Sequence, residues 1–113
     1  MNISAGVLRH RITIQRPDYE RDPETTDMNI VWSTVWDKVP AAIEPLSAKE
    51  FVASQAVQSE VSARITIRYR EGVTASMRIL HNDRIYNIEG VLPDPDSGRA
   101  WLTLPCSEGV NDG

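Results

Sequence analysis

The segment Arg64-Ile65-Thr66-Ile67-Arg68-Tyr69-Arg70 alternates charged or polar residues with apolar ones without a break. Only an extended chain sends successive side chains to opposite sides, so Ile65, Ile67 and Tyr69 are expected to face a core and the arginines to face outward. The same period of two opens the chain. Ile12 and Ile14 share one face there, and Arg9, Arg11, Thr13 and Gln15 share the other. Pro17 brings no backbone N–H and is expected to end that first strand.

Further strands are expected over 30–44, 76–80, 84–91 and 99–106. Turns are expected at Glu71-Gly72, at His81-Asn82-Asp83, where Asn and Asp tolerate positive φ, and at Pro93-Asp94-Pro95-Asp96-Ser97-Gly98. The strand over 30–44 carries bulk on both faces: Val31, Val35, Val39, Ala41 and Ile43 on one, Trp32, Thr34, Trp36 and Lys38 on the other. Such a strand needs cover on both sides, either from the chain's own helix or from a neighbouring subunit.

One helix is signalled. Ser47-Ala48-Lys49-Glu50 forms a capping box, and Leu46 with Phe51 completes a hydrophobic staple. A helix of about 11 residues is marginal in isolation, so the connection 45–60 is a candidate for rearrangement. Residues 17–29 are rich in turn formers and read as a long exposed acidic loop, and 107–113 read as a flexible tail. With 113 residues the chain fits a single domain, 1–113. The expected fold is mainly β: a small antiparallel β-barrel or sandwich of five to seven strands with one short helix and a long loop.

Charge is segregated within a net −4. Asp18, Glu20, Asp22, Glu24 and Asp27 cluster in 17–29 against Arg21, whereas Arg9, Arg11 and Arg16 lie at the start and further arginines populate 61–88. Patches of this kind suit contacts between copies, or a solvated β surface with acidic connections.

The patterns of common enzyme chemistry are missing from the sequence. His10 and His81 stand at no metal-ligand spacing, Asp94 and Asp96 lack the remaining ligands of a calcium loop, and neither a phosphate-cradling glycine loop nor a nucleophile elbow occurs. The single Cys106 excludes an internal disulfide. The reading is of a non-enzyme with no metal and no cofactor. With neither a leader pattern nor a long apolar run, the expected setting is the cytoplasm rather than a membrane. A nucleic-acid-binding barrel lined by Arg9, Arg11, Arg64, Arg68 and Arg70 is an alternative. It is disfavoured by the net negative charge and by Tyr69 pointing away from Arg68 and Arg70.

Gly6 to Gln15, Val31-Trp32-Ser33-Thr34-Val35-Trp36-Asp37-Lys38-Val39, the polar helix with Glu50, Ala53 and Gln55, Ile65 to Arg70, Met77-Arg78-Ile79 and Asn82 to Val91 occur in an order and spacing that resemble the phage head–tail joining family. Its members are also called head-closure or stopper proteins. The resemblance spans about residues 6–106, and the acidic, proline-containing 17–29 departs from it. It implies a structural phage or prophage protein that forms a ring with copies of itself under the portal or adaptor. That ring helps to retain packaged DNA and offers the tail a surface. The implied location is the virion head–tail interface, after assembly in the host cytoplasm. Implied partners are the adaptor or portal ring, tail proteins and double-stranded DNA passing without sequence preference. A tail-completion or terminator ring is the alternative role.

On this reading Ser47, Glu50, Phe51, Val52 and Gln55 form a candidate gating segment. Arg9, Arg11, Trp32, Trp36, Arg64, Arg68 and Arg70 are candidate inter-subunit contacts. Asp18, Glu20, Asp22, Glu24 and Asp27 form a candidate partner loop.

Overall fold

The structure is a computed structural model that describes residues 8–45 and 61–108. Among the described residues it contains seven strands and no helix: β1 His10–Arg21, β2 Met28–Pro45, β3 Ala63–Arg68, β4 Arg78–His81, β5 Arg84–Ile88, β6 Leu92–Pro93 and β7 Trp101–Glu108. Every pairing is antiparallel, in the order β3-β2-β1-β4-β5-β7-β6, and β3 also pairs with β7. Six of the strands therefore form a closed circuit of ladders, with β6 as a two-residue appendage on β7. The mainly β expectation holds. The expected helix, with Ser47, Glu50, Phe51, Val52 and Gln55, lies outside the described residues.

Alternation builds the core. Ile12 and Ile14 of β1, Ile65 and Ile67 of β3, Ile79 of β4, Tyr86 and Ile88 of β5, and Leu102, Leu104 and Cys106 of β7 point into one cluster. Tyr69 packs against its margin. Burial, and then the nearby Glu89 carboxylate, push the Cys106 thiol up to about 12. The thiolate is therefore suppressed, and Cys106 acts as a small core residue.

The second strand departs from simple alternation. Ile12 faces Val39, but Ile14 faces Trp36 and Gln15 faces Thr34, so β2 carries two extra residues over this stretch. Lys38 adopts φ 53° at the first irregularity. The Asp37 carboxylate holds this bulge by accepting the Lys38 backbone N–H at 2.9 Å and the Thr13 hydroxyl at 2.7 Å. Bulges reset which side chains face inward. Val39 and Ala41 are buried as expected, Trp36 turns to the core margin, and Val31 is left exposed. The expectation of a single apolar face from Val31 to Ile43 is corrected accordingly.

Two boundaries are also corrected. Pro17 does not end β1: it pairs with Trp32, and the ladder continues to Arg21 opposite Met28. Beyond Gln15 no β4 residue pairs with β1, so each strand of this arm has one open edge, where a missing N–H costs no ladder bond. Residues 17–29 are thus strand, turn and strand, with the turn confined to Asp22–Asp27. The tail expected over 107–113 is corrected at its start, because Ser107 and Glu108 belong to β7 and Ser107 is buried, while 109–113 lie outside the described residues.

Candidate assembly surfaces

Past the closed body, β1 and β2 run on together as a two-stranded arm. The molecule measures 52 × 30 × 26 Å. Directly opposed residues in an antiparallel ladder share a face. Pro17 with Trp32, Tyr19 with Ile30 and Arg21 with Met28 therefore lie on one side of the arm, and Arg16 with Ser33, Asp18 with Val31 and Glu20 with Asn29 on the other. The first side is apolar and open: Tyr19 is 61% exposed, Met28 56% and Ile30 38%. The second side is mostly polar, with Asp18 accepting the Ser33 hydroxyl and lying 3.5 Å from Arg16 Nε.

The tip is acidic and tightly turned. Asp22 N–H donates to the Asp27 carbonyl at 2.8 Å, and its carboxylate accepts the Glu24 N–H at 2.8 Å. The residues read as a partner loop divide between strand and turn: Asp18 and Glu20 lie in β1 and Asp22, Glu24 and Asp27 in the turn, with Glu20, Glu24 and Asp27 exposed and Asp18 and Asp22 half-buried.

Two arginines grip the base of the arm. The Arg78 guanidinium lies 4.2 Å from the Trp32 ring centroid, and its Nε donates to Gln15 Oε1 at 2.8 Å. The Arg70 guanidinium lies 5.7 Å from the Trp36 ring centroid. Gly72, at φ 94°, brings its backbone beside the same ring. Trp32, Trp36 and Arg70, read from sequence as inter-subunit contacts, thus make contacts within the chain. Nothing in the sequence alone links Arg78 to Trp32; the link appears only once Gln15 is paired with Arg78.

The other arginines read as inter-subunit contacts lie on the body. Arg64 and Arg68 are on the outward side of β3, where Arg68 is exposed and faces Trp101 and Arg64 faces Glu44 and Pro105. Leu92, 52% exposed, pairs with Thr103 on the same outward side. Arg9 and Arg11 are exposed at the start of the described chain. At that end His10 meets His81 edge to face, with ring centroids 4.8 Å apart. They line a recess of about 270 Å³ with Ile43, Asn82, Arg84 and Tyr86. Burial, then His10 and then Arg84, lower the His81 pKa below its ordinary value. No group of three or more His, Cys, Asp or Glu among the described residues is arranged to hold a metal.

Asp94, the acidic residue of the proline-rich turn, is buried and acts as a backbone hub. Its Oδ1 accepts the Ala100 N–H at 2.7 Å and its Oδ2 the Ser97 N–H at 2.8 Å. Burial alone would raise this carboxyl. The N–H bonds from Ala100, Ser97 and Trp101 and the Ser97 hydroxyl outweigh it and hold the pKa well below the usual carboxylate range.

A closed β body, an arm with an open apolar side and segregated charge define a β-rich structural protein with surfaces suited to assembly. The chain belongs to the phage head completion protein family, whose pattern it matches over residues 3–109. It is similar to the solution structure of protein SF1141 from Shigella flexneri 2a, at 35% identity and a TM-score of 0.73, covering 98% of this chain and 99% of that one. A comparison with curated proteins finds no match. The family is structural and implies a role in phage head assembly in the head–tail region of the virion, in contact with other head and tail proteins.

Proposed function

We propose that this protein completes the head by forming a ring under the portal or adaptor, where it helps to retain packaged DNA and provides the tail attachment surface. The family match over residues 3–109 carries this reading. The acidic tip formed by Glu20, Asp22, Glu24 and Asp27 suits a ring-side position facing basic surface, because opposite charges on two faces favour their pairing. Ser47, Glu50, Phe51, Val52 and Gln55 are assigned as the gating segment, in the connection between β2 and β3.

Electron microscopy of a lysate from the parent phage lacking this gene tests the role. The expected picture is DNA-leaking heads beside finished, unattached tails. Normal virions would remove the assembly role, and full heads beside malformed tails would move the protein to the tail side. For the gating segment, Phe51→Asp with Val52→Asp is expected to cut DNA retention and infectivity by an order of magnitude or more. Undiminished retention would reassign the gate.

A further inference from the structure

Of the five large apolar side chains exposed among the described residues, four (Tyr19, Met28, Ile30 and Val31) lie on the arm. The fifth, Leu92, lies on the body. A two-stranded ribbon is marginal by itself in water, and this one spends its open side on apolar residues. It ends in Glu20, Asp22, Glu24 and Asp27, opposed there by Arg21 alone. Within the same chain, the outward side of β3, β7 and β6 has the complementary make-up. Leu92 and the half-buried Trp101 and Pro105 supply apolar surface, and Arg68 and Arg64 supply positive charge. The arm leaves the body along the β1 direction. From Gln15 to Arg21 it extends by about 20 Å at the usual rise per strand residue, so the apolar side near its tip projects away from its own body.

We propose that the arm of one copy docks on the β3–β7–β6 surface of a second copy, with Tyr19, Ile30 and Met28 against Leu92 and Trp101 and the acidic tip against Arg68. The occupant is a second copy because both halves of the match, apolar with apolar and acidic with basic, are present in one sequence. The contact is head-to-tail, so each copy offers an arm to one neighbour and a receiving surface to the other. Repetition closes into a ring or continues as a filament. This deepens the ring reading given above and names its contact.

The test is sedimentation of the full chain up to millimolar concentration. The wild-type protein should self-associate in a concentration-dependent way. The arm variant Tyr19→Ser with Ile30→Ser, and the receiving variant Arg68→Glu with Leu92→Asp, should each weaken self-association by about tenfold or more. Mixed in equal amounts, the two variants should form a one-to-one pair and stop there, since each still carries one intact half. Should the arm variant fail to fold, Glu20→Lys with Glu24→Lys leaves the apolar side untouched and should weaken association in the same direction. A wild-type monomer at millimolar concentration would overturn the proposal, as would an arm variant that associates normally or a mixture that does not pair. A monomer that binds another phage protein through the arm would also overturn the choice of occupant. None of these outcomes bears on whether gene deletion leaves heads leaking, so the two readings fail separately.

Discussion

Asp94 shows how much one side chain fixes in a turn. Both its carboxylate oxygens accept backbone N–H groups from Ser97 and Ala100. Asparagine offers only one such oxygen, so Asp94→Asn is expected to destabilise the protein at neutral pH. The pH dependence has a definite sign. Because the folded carboxyl is held low, its contribution is fully present above the unfolded value of about 3.9 and is lost as pH falls through the folded one. Acid unfolding followed by circular dichroism should therefore show a shallower limb below about pH 4 in Asp94→Asn than in the wild type. His81 acts at milder pH. Its folded value is depressed, so its contribution is present above about 6.5 and declines as pH falls below that. The wild-type Tm should drop between pH 7.5 and 5.5, and His81→Asn should reduce that drop. A Tm difference unchanged by the substitution would assign the acid sensitivity to other groups.

Among the elements, the β1–β2 arm is the one most easily misread. Its acidic and proline-bearing sequence mimics a loop, because turn formers are counted without regard to pairing. The alternation of Tyr19 with Glu20 and of Ile30 with Val31 carries no hydrophobic period that would mark a strand. What makes it a strand is the register inherited from Ile12 and Ile14, which emerges only with the pairing. Ile65 and Ile67 posed no such problem, since both faces of β3 obey the period of two. The bulge at Asp37 and Lys38 was illegible for a different reason: no glycine marks it, and a carboxylate contact to Thr13 supports a left-handed lysine instead. Of the candidate site, the bulk of Trp32 and Trp36 was legible, but their arginine partners were not. Arg78→Met keeps the stem but removes the ring contact and the Gln15 bond, and should cost about 1–2 kcal/mol in urea unfolding. Arg78→Lys should recover less than half of that loss, since a point charge cannot both cover Trp32 and reach Gln15 as the flat guanidinium does.

For the whole molecule, closure of the ladder circuit places Ile67 between Ala41 of β2 and Leu102 of β7. It has no exposure, so its removal leaves a cavity on both sides. Ile67→Ala is expected to cost about 2–5 kcal/mol and Ile67→Val about 0.5–1.5 kcal/mol, both measurable by denaturant titration. A smaller alanine penalty would mean that the surrounding strands collapse into the space. The long pairing of β1 with β2 has a mechanical side as well. Its hydrogen bonds lie across the strands, so a load along the arm's axis strains many rungs together, while a sideways load opens them one after another from the Asp22–Asp27 end. A copy tethered by this arm would therefore resist traction along the ribbon far better than peeling. In the proposed ring, under the outward push of a confined genome, the orientation of the arm relative to the channel would set how much force the joint withstands.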